Sequence, residues 1–209
     1  AKAEGIANPK FGFIGGVPGA TITKFEVGYI QGIRSVLPDA QIFDYYANDW
    51  GKPELAKAQA KNWYDMGVTT IFSAAGGTGN GTIAQAKEYR SQGKNVWAIG
   101  VDSDQYADGI YADGKSAVLT SMIKRVESSA IYALTAIEKG TFKDGVVALD
   151  MASDGIGYST ANAELKAEVV KKVDALKADI ISGKIKVIPT YKDALAAGLV
   201  PAGLGAKDN

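Results

Sequence analysis

The chain is predicted to be an α/β protein, with a mostly parallel sheet covered by helices on both faces. Two observations predict this class. Short apolar runs of strand length alternate with longer stretches whose apolar residues recur at helical spacing. Glycine or proline lies at most of the boundaries between them. The resulting order is β-α-β-α-β-α-β-β-α, which requires crossover connections between parallel strands.

The first part of the chain, residues 10–141, is expected to form a complete α/β unit. Pro53 lies where the first turn of a helix tolerates proline, and Gly93 is expected to end the third helix. In the first helix, Gly28 and Gly32 would allow a neighbour to pack closely. The predicted strands are 11–15, 41–46, 69–74, 95–101 and 117–120, and the predicted helices are 21–37, 53–66, 82–91 and 122–140.

The second part, residues 145–209, contains much less. We predict a buried strand at 146–151, an amphipathic helix at 163–181, a short strand in "KIKVIPT", a short helix in "YKDALAAG" and a frayed tail. A lone strand and helix cannot bury their own apolar faces. This segment therefore either completes a sheet that the chain does not otherwise supply or packs onto the edge of the first unit. The apolar face of its helix carries Leu165, Val169, Val173, Leu176 and Ile180.

Composition excludes several classes of protein. A length of 209 residues suits one large domain or two small lobes. Basic and acidic residues number 23 each, so no nucleic-acid partner is expected. The chain has no cysteine or histidine, which excludes disulfides, cysteine nucleophiles, Ser-His-Asp chemistry and the usual zinc sites. The first ten residues lack the regions of a signal peptide, so either none existed or it has been removed.

The candidate functional residues follow the predicted strands. Ligands of open parallel sheets collect at the carboxyl ends of the strands. Two glycine turns, two acids and a lysine are expected to converge on that edge of the sheet, and Trp50 follows the second strand. These residues are Gly15-Gly16, Gly76-Gly77, Asp102, Asp104 and Lys124.

The stretch "IFSAAGGTGNG" resembles a phosphate-binding loop only superficially. The dinucleotide fingerprint requires glycines at offsets of two and three, whereas Gly77, Gly79 and Gly81 are spaced by two and two. Thr82 follows Gly81 where a P-loop requires lysine. A phosphate at the N-terminus of the next helix remains an alternative, but a plain tight turn is favoured.

Each polar candidate has two interpretations. Asp102 could accept two hydrogen bonds from a vicinal diol, at about 1.5–3 kcal/mol each when desolvated, or it could cap a turn with Asp104. These two carboxylates are too few ligands for calcium. Lys124 is expected in or near the first turn of its helix, where the helix dipole disfavours a cation unless an acid such as Asp102 compensates. Otherwise it is an exposed lysine that covers apolar surface.

The two aromatic candidates are equally open. Phe72 lies within the third predicted strand, where such a residue more often belongs to the core. Trp50 lies in the loop stretch "NDWGKP" and would suit the edge of a ligand site, although loop aromatics also cover cores.

Five motifs together resemble the basic membrane protein (BMP) family. They are "KFGFIGG", "ITKFEVGYIQG", "AAGGTGNG", "IGVDSDQ" and "TSMIKRV", in this order and spacing. The family comprises substrate-binding lipoproteins of ABC transporters, similar to purine-nucleoside receptors. The resemblance covers about residues 11–157, and its specific part is "GVDSDQ" followed by "SMIKRV". "VPGATIT" and "YYANDWGKP" do not match family motifs, which leaves the base preference open.

The resemblance implies a type I periplasmic-binding-protein fold, in which two α/β lobes are joined by three crossovers and close on the ligand. Residues 10–141 would be the second lobe. Residues 145–209 would be the returning segment that completes the first lobe, whose N-terminal part is expected to be absent from this chain. The chain alone is then expected to expose the face formed by Leu165, Val169 and Val173, and to associate.

The resemblance also implies roles for individual residues. Asp102 resembles the carboxylate that binds the ribose diol, and Lys124 the residue that contacts the ribose or its neighbouring acid. Phe72 would form one wall of an aromatic sandwich about the base, and Gly77 would let backbone approach the sugar. No catalytic residue, metal or cofactor is implied. The expected ligand-binding set is Asp102, Lys124, Phe72, Gly77, Gly76, Asp104 and Trp50.

The implied function is that of an extracytoplasmic binding protein, lipid-anchored through an N-terminus outside this chain, that delivers a nucleoside to an ABC permease. Some relatives are thought to bind other ligands, including flavins. One alternative is an enzyme with a Rossmann-like nucleotide site, disfavoured because a correct fingerprint, histidine and cysteine are lacking. Another is the effector domain of a LacI-type repressor, which would need an N-terminal helix-turn-helix.

Overall fold

A six-stranded sheet forms the centre of the protein. The computed structural model describes residue 5 and residues 7–209. The strands are β1 (Lys10–Gly15), β2 (Gln41–Tyr46), β3 (Thr70–Ala74), β4 (Trp97–Asp102), β5 (Ile110–Ala112), β6 (Lys115–Ser116), β7 (Val118–Lys124) and β8 (Ile156–Tyr158). The helices are α1 (Ala20–Val36), α2 (Pro53–Asp65), α3 (Asn80–Ser91), α4 (Val126–Glu138), α5 (Ala167–Ile181) and α6 (Tyr191–Ala196).

The strand order is β2-β1-β3-β4-β7-β8, and β5 and β6 form a separate hairpin. The first five strands of the sheet run parallel, whereas β8 is antiparallel to β7. The predicted α/β class with a mostly parallel sheet is therefore confirmed. All five strands predicted before residue 121 are present, and the last of them continues to Lys124.

The side chains of the central strands alternate between two cores. Phe13 and Phe72 point towards α1 and pack with Ile22. Ile14 and Ile71 point to the opposite face, where α2 and α3 bury residues such as Trp63 and Ile83. Helices therefore cover both faces, as alternation along buried parallel strands requires.

Residues 156–164 are attached to the sheet edge. Besides the β7–β8 ladder, the Asn162 amide donates to the carbonyls of Ser116 and Val118 at 3.2 and 2.8 Å. Glu164 accepts two hydrogen bonds of 2.8 Å from Arg90, whose guanidinium carbon lies 3.9 Å from the centroid of the Trp97 ring. Of the two alternatives for the segment after residue 145, packing on the edge of the first unit is seen for residues 156–164.

The C-terminal residues pack on α1, so the prediction of a frayed tail is wrong. The Thr23 hydroxyl donates to the Lys207 carbonyl at 2.6 Å and accepts from its N–H at 2.9 Å. The Asp208 carboxylate accepts from the first two N–H groups of α6, at Tyr191 and Lys192. Local sequence could not reveal this anchoring, since Thr23 and Lys207 are 184 residues apart.

Two further strand predictions are wrong. Residues 146–151 form no strand, and Val146 is fully exposed. Their apolar composition favours a strand, but the open edge of β7 is occupied by β8. "KIKVIPT" is also irregular, and the backbone of Ile188 pairs with the side chain of Gln31 at 2.8 and 3.1 Å.

Helix α4 begins at Val126, not near Met122. Residues 122–124 continue β7 because their backbone pairs with β4 on one side and with β8 on the other. Lys124 is therefore the last residue of a strand, and it lies near the first turn of α4, two residues before it, and not within that turn.

Helices α4 and α5 are poorly covered. Among the residues of α4, only Ala136 is buried, and Ile131, Leu134 and Ile137 are at least 60% exposed. Helix α5 buries none of its residues. Within the described part of the chain, no helix has the length and apolar character needed to span a bilayer.

Candidate functional site

The candidate site lies at the carboxyl ends of the parallel strands, here called the rim (the ends of β1, β2, β3, β4 and β7). Asp102 ends β4 and Lys124 ends β7, and these neighbouring strands bring the two side chains together. Lys124 Nζ lies 3.0 Å from Asp102 Oδ1. The two side chains are 46% and 54% exposed, so a ligand can reach both.

The backbone of Asp102 is in the left-handed region, with φ of 67°. A non-glycine residue adopts this conformation at a cost, and such residues cluster at ligand-binding sites. The Ser103 N–H donates to the Val101 carbonyl at 2.9 Å, which closes the turn directly at Asp102. The chain reverses there and presents the Asp102 carboxylate at the end of its strand.

A cavity of about 480 Å³ adjoins this ion pair. Its lining contains three carboxylates and one ammonium group, so it is negative overall. Ser103, Ile123, Val126 and Glu127 were not in the expected ligand-binding set. Val126 and Glu127 reach the rim because α4 begins later than predicted. The lining consists of Asp102, Ser103, Asp104, Ile123, Lys124, Val126 and Glu127.

Asp104 has a local structural contact. Its Oδ1 accepts a hydrogen bond of 3.0 Å from the N–H of Tyr106, as turn-forming aspartates do. Asp104 also lines the cavity. The turn-capping interpretation therefore describes Asp104, whereas Asp102 pairs with Lys124.

Trp50 covers the glycine turns. A Cβ atom added to Gly16 would overlap its indole ring, and one added to Gly76 would lie 3.5 Å from the ring and 3.4 Å from the Trp50 carbonyl oxygen. Gly76 also has φ of 55°. The Thr78 N–H donates to the Trp50 carbonyl at 3.0 Å, and a Cβ on Gly77 would lie 3.2 Å from that oxygen. The indole is nevertheless 47% exposed.

Phe72 lies away from the rim surface, in the core beneath α1. It is 5% exposed, and its ring makes edge contacts with Phe13 and Tyr29 at centroid distances of 5.7 and 5.4 Å. Because other aromatic side chains of the core surround the Phe72 ring, no face of it is free to contact a ligand. Phe72 is therefore a core residue, whereas Trp50 is an accessible aromatic residue at the rim.

The fold is that of ABC-transporter solute-binding proteins. The chain is similar to a solute-binding protein of Aeropyrum pernix, with a TM-score of 0.75 at 23% identity, over 95% of this chain and 63% of that one. It is also similar to a solute-binding protein of Conexibacter woesei, with a TM-score of 0.69 at 20% identity, over 88% and 58% of the two chains. At these identities the likeness shows the fold alone.

Sequence comparison gives the family. The family profile described as "ABC transporter substrate-binding protein PnrA-like" (Bmp) matches residues 3–190, and the chain belongs to this family. Its members are binding proteins, not enzymes.

Three relatives illustrate the match. The chain is 40% identical to the CD4+ T-cell-stimulating antigen of Listeria innocua, over 85% of this chain and 52% of that protein. It is 36% identical to the ABC transporter nucleoside-binding protein BmpA of Lactococcus lactis, over 90% and 55%. It is 34% identical to basic membrane protein D of Borreliella burgdorferi, over 85% and 51%. The chain thus spans about half the length of these relatives.

Proposed function

We propose that this chain is part of the substrate-binding component of an ABC transporter and that its ligand is an unphosphorylated nucleoside, with a purine as the preferred base. In this proposal the protein lies outside the cytoplasm on a lipid anchor, closes on its ligand and docks on a permease. Membership of the Bmp family and the printed name of the Lactococcus relative support it.

The exposed Asp102–Lys124 pair at the rim carries the proposal. A carboxylate can accept hydrogen bonds from both hydroxyls of a ribose, and the neighbouring ammonium group of Lys124 helps to hold it in place. Because Lys124 is itself a donor, it can bind a ribose oxygen while it remains beside Asp102. A diol that bridges these groups would add charged hydrogen bonds without leaving either charge unpaired.

The sugar would lie across adjacent strand ends. Gly76 follows β3, which neighbours β4 in the sheet, so both strands end at the rim. A ribose at Asp102 is thus within reach of the backbone at Gly76 and Gly77. The exposed face of Trp50, above Gly76, is then placed to stack on the base, in the role that the sequence analysis assigned to Phe72.

The charge of the cavity supports a neutral ligand. Asp102, Asp104 and Glu127 outnumber Lys124 in the lining, so a phosphate would meet net repulsion. The glycine turn offers no compensating cation, since it lacks the P-loop lysine. We therefore expect nucleosides to bind and nucleoside monophosphates to bind far more weakly.

The division into lobes also remains a proposal. Residues 10–141 would form the second lobe and residues 145–209 would contribute to the first. The half-exposed apolar faces of α4 and α5 support this, because further protein packed there would bury them.

Calorimetric titration of the full-length protein with adenosine, guanosine, inosine, uridine and riboflavin tests the function. We expect heat with a purine nucleoside and much weaker binding of its 5′-monophosphate. Absence of binding to every nucleoside would rule the proposal out.

The Asp102→Asn variant tests the site. It keeps the shape of the side chain but removes the charged acceptor, and affinity should fall by about 10- to 100-fold. Exposed ion pairs contribute about 0–1 kcal/mol to stability, so the melting temperature should scarcely change. Asp113→Asn, in the exposed turn between β5 and β6, is the matched control and should bind like the wild type. Unchanged affinity in Asp102→Asn would refute the diol role.

A further inference from the structure

We propose that Gln105 is the positioning residue for Asp102, and that it also ties the Asp102 turn to the glycine turn at the start of α3. The inference rests on the proposed function, because it concerns how the diol-binding carboxylate is held. Gln105 lies three residues after Asp102. Its backbone N–H and its side-chain amide make four hydrogen bonds, with Val101, Ser121, Asn80 and Asp108.

The first contact supplies a hydrogen-bond acceptor to β4 where its pairing with β3 has ended. The β3–β4 register ends at the pair Phe72–Ile99. The Trp97 N–H donates to the carbonyl of Thr69, the residue before β3. Along a strand, every second N–H points to the same side. The Val101 N–H therefore points to a place where β3 no longer supplies a carbonyl. Gln105 Oε1 accepts from it at 3.0 Å, one residue before Asp102.

The second contact fixes where the chain returns after its reversal. The Gln105 N–H donates to Ser121 Oγ at 3.0 Å, and Ser121 is fully buried in β7. Ser121 and Gln105 both pack on Gly100, where an added Cβ would lie 2.5 Å from Ser121 Oγ and 2.9 Å from Gln105 Oε1. A side chain at position 100 would displace both groups, so the glycine is needed for this approach.

The remaining contacts extend away from β4. Gln105 Nε2 donates to Asn80 Oδ1 at 3.3 Å and to Asp108 Oδ2 at 3.2 Å. Asn80 is the first residue of α3, directly after the glycine turn beneath Trp50. One side-chain amide thus joins the end of β4, which carries Asp102, to the turn on which the sugar and base are proposed to lie.

These contacts brace the left-handed turn at Asp102 on both sides. Val101 before it and Gln105 after it are both held, so the carboxylate can face the cavity although its backbone is in a costly conformation. Without Gln105 the turn would relax, and the Asp102 carboxylate would still be exposed but no longer held in place. The loss should therefore fall on diol recognition more than on binding in general.

The test compares guanosine with 2′-deoxyguanosine, which lacks one of the two hydroxyls. Gln105→Met keeps the length of the side chain but neither accepts nor donates at the amide positions. We expect the wild-type full-length protein to bind guanosine more tightly than 2′-deoxyguanosine. In Gln105→Met the ratio of the two affinities should be about tenfold smaller. Gln92→Met, at the exposed end of α3, is the control and should keep it. A Gln105→Met protein with the wild-type preference overturns the inference, even if both affinities fall together.

Gln105→Asn provides a second variant if Gln105→Met does not fold. It keeps an amide but is one methylene too short to reach both Val101 and Asn80, so the preference for guanosine should fall as well. A wild-type preference in Gln105→Asn would equally overturn the inference.

Amide hydrogen exchange, followed by NMR without ligand, separates this inference from the proposed function. In Gln105→Met we expect faster exchange at Val101 and Ser103, with Ile99 unchanged. If the wild type binds no nucleoside, the proposed function fails, yet this exchange pattern would still support Gln105 as the group that holds the Asp102 turn. Unchanged exchange at Val101 and Ser103 would overturn it.

Discussion

At the scale of single residues, burial separates side chains that the sequence treats alike. Trp50 and Phe72 are both aromatic candidates, Trp50 in the loop after β2 and Phe72 within β3. Phe72 is 5% exposed and fully engaged by its neighbours, whereas Trp50 is 47% exposed above two glycines. Only an accessible ring can stack on a ligand, so these two residues should respond differently to substitution.

Substitution of Trp50 tests its proposed role as the base-stacking residue. Trp50→Ala should weaken binding of a purine nucleoside by about 5- to 100-fold, since stacking of a base on an aromatic ring contributes about 1–3 kcal/mol. Trp50→Phe keeps an aromatic face and should retain most of the affinity. Titration calorimetry measures both variants, and wild-type affinity in Trp50→Ala would contradict the stacking role.

Glu26 is a buried acid on α1 whose ionisation should affect folding. The Tyr46 hydroxyl donates to its Oε2 at 2.6 Å, and Glu26 itself is fully buried. Burial raises the pKa of the Glu26 carboxyl from 4.5 to about 7, an effect that nearby Asp44 reinforces and the Tyr46 hydrogen bond opposes. The folded protein therefore keeps a proton there that the unfolded chain releases.

The free energy of unfolding should fall as pH rises from about 4.5 to 7, because the folded state binds more protons in that window. A shift of this size corresponds to a loss on the order of 3 kcal/mol. Glu26→Gln stays neutral and can still accept from Tyr46, so it should lose this pH dependence and be more stable than the wild type above pH 7. Urea denaturation across the window measures it, with exposed Glu54→Gln as the control. An identical pH dependence in Glu26→Gln would contradict the assignment.

At the scale of elements, glycines with the same sequence signal have different structural roles. A Cβ on Gly81 in α3 would overlap the Pro53 carbonyl oxygen and lie 2.7 Å from the Lys57 N atom of α2. The two helices therefore touch backbone to backbone at the end of the glycine turn. Gly28 and Gly32 in α1 have no atom within 4 Å of such a Cβ, so the prediction that they allow close packing is wrong.

Alanine at these positions should change stability in opposite directions. Gly81→Ala should destabilise the protein by about 3 kcal/mol, because neither helix backbone can give way without disturbing the core. Gly28→Ala should stabilise it by about 1 kcal/mol, since it improves helix propensity in open space. Thermal or urea unfolding measures both variants. An unchanged free energy of unfolding in Gly81→Ala would contradict the close contact between α2 and α3.

At the scale of the whole molecule, the uncovered surface is concentrated on α4 and α5. Exposure of this kind was predicted at Leu165, Val169 and Val173. Leu165 and Val169 are half-buried, and Val173 is 36% exposed. Several apolar side chains of α4 are more exposed, since Ile131, Leu134 and Ile137 reach 63%, 67% and 60%.

The 209-residue chain alone should therefore self-associate. Sedimentation velocity at increasing concentration should show species larger than 21.9 kDa, and Leu134→Lys should reduce them because it places a charge in the apolar surface. Met66→Lys, at an exposed apolar residue after α2, is the control and should associate like the wild type. A monodisperse monomer of the unmodified chain at all concentrations would contradict this prediction.

The features that the sequence determined by itself are those that depend on local patterns of residues. The five parallel strands and the helices between them were predictable because apolar periodicity and Gly or Pro boundaries act within about 20 residues. The rim positions of Asp102 and Lys124 followed from the strand ends. The β5–β6 hairpin was missed, although Asp113-Gly114 at its turn, with Gly114 at φ of 62°, is a recognised hairpin signal.

Only the tertiary structure decided which side chains share an environment. It placed Phe72 in the core and left Trp50 accessible, extended β7 to Lys124 through pairing with β8, and anchored the C-terminal residues on α1. It also brought Gln105 to Val101, Ser121 and Asn80 at once. Periodicity records whether a residue faces a core, but a contact between distant residues depends on the packing of whole elements, and that packing defines the site.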